Sequence, residues 1–176
     1  TFNRITVNGS YTVANNDIVY NGLINVTTTG SYVSGGGIAT LNGDLTNSGS
    51  LTSTGTTTFT GTSVQTLRLL NALNSTSTGI VNFNGNVTPV MNSTSSPNFA
   101  TLNINNTAGV NPSVTWNIFI AMNVNSGATF NGGVSTHNIY GNFTNAGTTT
   151  STGTLNYIPS TAKTINFGGS GFSSTG

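Results

Sequence analysis

The side chains that could carry acid–base chemistry are very few in this sequence of 176 residues. His137 is the only histidine, Asp17 and Asp44 are the only acids, and glutamate is absent. A catalytic triad would need His137 beside an acid and a serine, and glycoside cleavage needs two carboxylates close together. The two aspartates lie far apart in the sequence, in segments that we predict to be different turns. We therefore predict that the chain has no catalytic residue and is not an enzyme.

Metal and cofactor sites also lack their usual ligands. There is no cysteine, which removes thiolate chemistry and most structural zinc sites. Calcium-binding solenoids repeat GGxGxD, but GGG at 35–37 and GGSG at 168–171 have no aspartate after them. No glycine-rich stretch carries the lysine of a phosphate-binding loop. We predict no metal-binding residue, no cofactor-binding residue and no cofactor, and interpret these glycines as turns.

Charge is almost absent from the chain. Charged residues make up 3% of it, the formal net charge is +1, and 34% of the residues are hydrophobic. Nucleic acids need a basic stripe, and anionic membrane surfaces need clustered lysine or arginine. No apolar segment is long enough to span a bilayer, and no signal peptide is visible. We therefore predict no nucleic-acid partner and no membrane insertion, and we expect any export signal to lie outside this sequence.

A long internal repeat indicates that the polar stretches are ordered rather than linkers. Segment 41–67 aligns without a gap with segment 139–165, and 2–7 echoes 99–104. The alignment keeps three glycine pairs and places Asp44 opposite Asn142. Leu51, which faces Thr149, is the exception to its apolar matches, which are Leu41/Ile139, Leu45/Phe143, Phe59/Tyr157, Val64/Ala162 and Leu67/Ile165. We predict one repetitive segment over 1–176 with two long units, about 1–97 and 98–176, in a stacked architecture.

The finer pattern is that of strands and corners. Asn-Gly occurs five times and predicts tight corners with positive φ, and the spacing of Asn21, Asn42 and Asn84 suggests a coil near twenty residues. Apolar residues occupy every second position of 114–124, from Val114 through Trp116 and Ile120 to Val124, broken only by Phe119. Alternation of this kind is typical of a strand.

These patterns predict an all-β fold, a parallel β-solenoid (β-helix) of about nine coils near twenty residues each. Asparagine and threonine should stack in ladders, and inward Leu, Ile, Val and Phe should form a narrow core. The alternative is an antiparallel β-sandwich. Because end coils expose unpaired strand edges, we expect the chain to belong to a longer array or to stack on copies of itself.

Two kinds of surface deserve consideration as binding sites. Exposed aromatic rings could bind sugars, but we expect Trp116 and Tyr157 to be core, and we predict no residue as a sugar site. The other aromatic candidates are Tyr11, Tyr20, Tyr32 and Tyr140. Threonine motifs at 27–29, 52–54, 56–58 and 148–150 could share one flat face that resembles those of ice-binding solenoids, although the motif is missing from 80–143.

The strings FATLNINNTAGV and YGNFTNAGTTTSTGTLNYIPSTAKTINFGGSG, with LNGDLTNSGSLTSTG repeating the theme, resemble the repetitive β-solenoid region of large secreted surface proteins of Bacteroidetes. The resemblance covers most of the chain and is weakest over 71–98. It implies export by the type IX secretion route, display at the cell surface, and roles in adhesion, gliding or extracellular structure. It supplies no catalytic or ligand residue. Autotransporter passengers and filamentous haemagglutinin-type adhesins are also built as repetitive solenoids, and they are a competing origin for this sequence.

The sequence thus predicts a non-enzymatic extracellular structural or adhesive module, either a stiff rod or a fibre-forming segment of a bacterial surface protein. The alternatives are a carbohydrate-binding module and an ice-binding solenoid. The partners expected are copies of the chain end to end or neighbouring repeats, the type IX secretion machinery during export, and surface glycans.

Overall fold

The computed structural model describes residues 1–71, 73–75, 78–169 and 171–174, and these ranges contain strands and no helix. The strands are β1 (Ile5–Val7), β2 (Ser10–Val13), β3 (Ile18–Tyr20), β4 (Ile24–Val26), β5 (Ser31–Ser34), β6 (Ile38–Leu41), β7 (Leu45–Asn47), β8 (Ser50–Ser53), β9 (Thr56–Phe59), β10 (Thr66–Leu69), β11 (Leu73–Ser75), β12 (Ile80–Phe83), β13 (Val90–Met91), β14 (Asn98–Ile104), β15 (Asn117–Val124), β16 (Thr129–Asn131), β17 (His137–Ile139), β18 (Asn142–Asn145), β19 (Thr148–Ser151), β20 (Leu155–Tyr157), β21 (Ile165–Asn166) and β22 (Gly171–Ser174).

The paired strands of the described chain are parallel, and each pair joins strands one coil apart. The result is a β-solenoid of about eight turns, roughly 21 residues apart, which confirms the predicted fold class and lies close to the predicted coil number and length. We call its three sides the first, second and third faces. By pairing and chain order the first face holds β1, β4, β7, β10, β13, β16, β19 and β22, the second β2, β5, β8, β11, β17 and β20, and the third β3, β6, β9, β12, β18 and β21. Strands β14 and β15 each cover both the second and the third face.

A continuous apolar core runs along the inside of the coils. Strand residues alternate between inward and outward positions, and the inward leucine, isoleucine, valine and phenylalanine side chains form one buried cluster. Aromatic rings stack from coil to coil within it: Phe59 lies 4.9 Å from Phe83, and Phe83 lies 5.5 Å from Trp116, between ring centroids. The burial predicted for Trp116 is confirmed. Leu51 and Thr149, the mismatched pair of the repeat, are both buried as well.

The two aligned segments of the repeat lie on different faces of the solenoid. Strand β7, with Leu45, belongs to the first face, whereas its counterpart β18, with Phe143, belongs to the third. Both side chains are nevertheless buried. The offset between the copies is therefore not a whole number of coils, and a strand sequence can occupy any face because each face packs on the same core.

The corner after these strands keeps its local structure on either face. A Cβ atom added to Gly49 would lie 2.2 Å from the Gly30 carbonyl oxygen, and one added to Gly147 would lie 2.4 Å from that of Ala128. Asn47 and Asn145, two residues before these glycines, are both buried. The retained glycines thus mark a close approach of the coil below, which leaves no room for a side chain.

The reason predicted for the Asn-Gly corners was wrong at four of the five described positions. Among their glycines only Gly85 has a positive φ, of 94°. At Gly43 an added Cβ atom would instead lie 2.4 Å from the Gly22 carbonyl oxygen of the coil below. The spacing was informative all the same, because Asn42 Nδ2 donates a hydrogen bond to Asn21 Oδ1 at 2.7 Å across one coil.

Replacing Gly43 by alanine is expected to lower the free energy of unfolding by more than about 1 kcal/mol, because the new methyl group would overlap backbone that cannot withdraw without unpairing the coil. Gly9→Ala is the matched control: nothing lies within 4 Å of a Cβ atom at Gly9, and its φ is not positive. We expect that change to stay within about 0.5 kcal/mol. Urea unfolding of both variants measures the difference, and equal effects would contradict the close-approach explanation.

Several apolar positions of the predicted pattern lie outside the core, among them Val64, Ile120, Ala162 and Ile165. Val64, in the loop between β9 and β10, is 63% exposed. Ile120 points outward together with Phe119, because the pairing of β14 with β15 shifts register between Phe99 and Thr101. Two residues of β15 then lie opposite the single residue Ala100, which is a β-bulge. The alternation predicted for 114–124 is therefore wrong at Ile120.

Candidate functional surfaces

His137 lies inside the solenoid, and both of its ring nitrogens contact the backbone. Nδ1 accepts a hydrogen bond from the Trp116 amide at 3.2 Å, and Nε2 lies 2.8 Å from the Gly132 carbonyl oxygen, to which it can only donate. Burial lowers the pKa of this imidazole below its ordinary value. The rings of Trp116 and Phe130 meet it edge to face. This neutral histidine holds neighbouring coils together.

The two aspartates have a structural role that does not require a charge. Asp17 Oδ1 accepts the Ile38 amide at 2.9 Å, and Asp44 Oδ1 accepts the Thr66 amide at 2.7 Å. Asn142, which the repeat alignment places opposite Asp44, does the same for the Thr164 amide at 3.0 Å. In each case a side-chain oxygen satisfies a backbone amide one coil further on. The structure does not bring His137 together with either acid in a shared hydrogen-bond network.

Within the described ranges, no three side chains of the histidine, cysteine, aspartate and glutamate types come together where they could hold a metal ion. That part of the chain also contains no helix of the length and apolarity needed to cross a bilayer.

Most of the aromatic side chains considered for sugar binding lie inside. Tyr20 and Tyr32 are buried with their hydroxyl oxygens 3.1 Å apart, and burial raises the pKa of both. Tyr11 packs on the Tyr32 ring, and Tyr157 is half-buried against the core. Tyr140 differs, because it lies on the outside of the coil with its ring stacked 5.0 Å from that of Phe119.

The threonine motifs do not form one array. The motif at 27–29 lies at the corner between β4 and β5, 52–54 begins on the second face, 56–58 lies on the third and 148–150 on the first. The middle threonines of the last two, Thr57 and Thr149, point inward and are buried. The predicted flat threonine face shared by these motifs is therefore wrong.

An asparagine ladder runs along the outside of the second face. Each member after the first donates an Nδ2 hydrogen to Oδ1 of the asparagine one coil earlier, at 2.8–3.1 Å. Its members are Asn74, Asn98, Asn117, Asn138 and Asn156. This arrangement confirms the predicted stacking of asparagines.

A second ladder follows the third face. Asn82 donates to Thr58, Asn103 to Asn82 and Asn123 to Asn103, at 3.2, 2.8 and 2.8 Å. At the corner beside it Asn105 donates to Asn84, and Asn125 donates to Asn105. Amide side chains thus reinforce the backbone pairing of successive coils on two faces.

Between the two ladders lies an outward-facing apolar row that we call the ridge, formed by Phe119, Ile120, Ile158 and the half-buried Tyr140. Phe119, Ile120 and Ile158 are 47%, 42% and 48% exposed. Register places Phe119, Tyr140 and Ile158 one above another on successive coils. The sequence-based prediction missed this ridge, although the break of alternation at Phe119 was the signal for the bulge that creates it.

Comparison with protein-family models, with curated protein sequences and with solved structures finds no match to this chain. The resemblance of its repeat strings to secreted Bacteroidetes surface proteins accordingly stays a prediction.

Proposed function

We propose that this chain is a non-enzymatic extracellular structural and adhesive module, a stiff β-solenoid rod or fibre-forming segment of a bacterial surface protein. The observation that carries the proposal is the continuity of bonding between coils. Parallel pairing, the asparagine ladders and one apolar core connect successive turns along the described chain. A stack in which each unit is stabilised by its neighbours resists bending and stretching along its axis.

The use of the chain's few reactive side chains also supports a structural role. His137, Asp17 and Asp44 each accept a hydrogen bond from the backbone of a neighbouring coil. These side chains therefore stabilise the stack of coils. The repeat places equivalent strands on different faces, which fits a rod whose faces are interchangeable.

For export and location we propose the type IX secretion route and display at the bacterial cell surface, on the strength of the repeat strings and the uncharged, polar exterior. The expected partners are the secretion machinery, neighbouring repeats and copies of the chain.

An uncharged rod is expected to be insensitive to salt. Between low salt and about 1 M sodium chloride, where the Debye length falls to about 3 Å, we expect Tm to change by no more than about 3 °C. For a chain of this length, a Tm change of that size corresponds to a change of about 1 kcal/mol in the free energy of unfolding. Thermal unfolding followed by circular dichroism at both salt concentrations checks this, and a larger shift would undermine the account of an uncharged surface.

Electron microscopy of the source cells tests the function. Antibodies raised against the purified chain should label intact cells and decorate extended rods or fibres on their surface. Labelling that requires permeabilised cells would overturn the extracellular location, and labelled material without elongated structure would overturn the rod.

A further inference from the structure

We propose that the ridge and the asparagine ladder beside it form a binding surface for a neutral, extended polysaccharide. The proposal rests on the adhesive role proposed above and adds to it the surface and the chemical class of its ligand. The surface consists of Phe119, Ile120, Tyr140 and Ile158, with Asn117, Asn138 and Asn156 alongside.

A bulge in the strand, rather than packing on the core, accounts for the exposure of Phe119 and Ile120 in the ridge. The bulge in β15 turns Phe119 and Ile120 to the outside, whereas Ala100, opposite them in the preceding coil, is buried. Bulges of this kind often re-aim side chains near functional sites, and clustered exposed apolar side chains mark interaction surfaces. Because the Phe119 and Tyr140 rings are parallel to within 5° and 5.0 Å apart, the row is also ordered before any ligand binds.

The neighbouring amides have hydrogen-bonding capacity left over. An asparagine side chain offers two N–H donors and two acceptor lone pairs. In the ladder Asn117 and Asn138 each donate one hydrogen to the coil before and accept one from the coil after. One donor and one lone pair of each therefore stay available, at intervals of about 4.8 Å set by the strand spacing.

An apolar row flanked by amides matches the chemistry of a sugar chain. A pyranose ring with equatorial hydroxyls has an apolar face of C–H groups and a polar rim. The face can contact the isoleucine side chains and the outward edges of the two stacked rings, while the rim bonds to the amides. The axial repeat favours a chain lying along the solenoid. The strands that form the surface, β15, β17 and β20, contain no charged residue, which favours a neutral polymer over an acidic one.

Binding isotherms on microcrystalline cellulose and on chitin test the proposal. We expect the intact chain to be retained by at least one of them, equally at low salt and in about 1 M sodium chloride, because no charge is involved. Phe119→Ser with Tyr140→Ser should weaken retention at least about tenfold, equivalent to about 1.4 kcal/mol. Ile158→Ser, a milder change at an exposed side chain, should weaken it about threefold. Val64→Ser, which alters a valine that is more exposed than Ile158 and lies away from the ridge, should leave retention unchanged.

Fluorescence of the buried Trp116 and circular dichroism verify that each variant is folded. Absence of retention on both polymers, or equal retention of the ridge variants and the intact chain, would overturn the proposal. So would self-association in sedimentation that the ridge variants abolish, because it would assign the ridge to a second copy. The rod function is tested separately by microscopy. Rods that do not bind either polysaccharide would contradict the binding surface but not the rod function.

Discussion

Replacing Asn106 by alanine is expected to lower the free energy of unfolding by about 3 kcal/mol or more. The Asn106 side chain is buried and makes four hydrogen bonds to backbone. Nδ2 donates to the carbonyl oxygens of Asn84 and Val87 at 2.9 and 2.8 Å, and Oδ1 accepts the amides of Ala108 and Gly109 at 2.9 and 3.0 Å. A buried polar group that loses its partner costs about 1–3 kcal/mol, and alanine would remove all four bonds together.

Asn105→Ala is the matched control for this prediction. Asn105 adjoins Asn106 in sequence but belongs to the corner ladder, where its bonds join half-exposed side chains that water can satisfy. We expect this change to cost less than about 1 kcal/mol. Urea unfolding, with an unchanged m value as evidence that both variants unfold from the same compact state, measures the difference. Equal losses would show that the buried corner amide has no special role.

The solenoid could be predicted from the sequence because its coils repeat chemical detail along the chain. The spacing of Asn21 and Asn42 gave the coil length, since the two amides bond directly across one coil. The alternation around Trp116 gave the strand and its buried side. Sequence identity between the two repeat units could not reveal which strands share a face, because similar strand sequences, such as those around Leu45 and Phe143, lie on different faces. The face on which a strand lies depends on the number of residues in the loops before it, and loops such as the one containing Val64 vary in length.

The surfaces were harder to predict than the fold. The composition made chemistry at His137 improbable, and the geometry explains the histidine instead as a link between backbone groups. The ridge depends on one additional residue in β15 relative to β14. It turns Phe119 and Ile120 outward together, and the side chains after them resume the original alternation. In the sequence this insertion is visible only as Phe119 interrupting an otherwise regular pattern. Its consequence for Tyr140, which lies one coil further along the chain, can be read only from the register between coils.

Acidification from about pH 6.5 downward is expected to destabilise the protein through His137. Burial lowers the pKa of the folded imidazole, whereas the unfolded imidazole titrates near its ordinary value of about 6.5. Below that pH the unfolded chain therefore binds more protons than the folded chain, and stability falls as the pH falls, until the folded group titrates too. The greatest slope is about 1.4 kcal/mol per pH unit, for one proton.

The composition makes this prediction unusually clean, since the chain has one histidine and no glutamate. The physical cause is specific as well: a protonated Nδ1 can no longer accept the Trp116 amide, and the surrounding Trp116 and Phe130 rings offer no counter-charge. His137→Gln should be less stable at neutral pH but show a nearly flat profile between about pH 7 and 5. Urea unfolding of both proteins across that range decides the matter. A free energy of unfolding that does not change with pH in the intact chain, or that changes equally in the variant, would contradict a buried neutral histidine. The expected slope would identify His137 as a structural link whose protonation loosens the coils around Trp116.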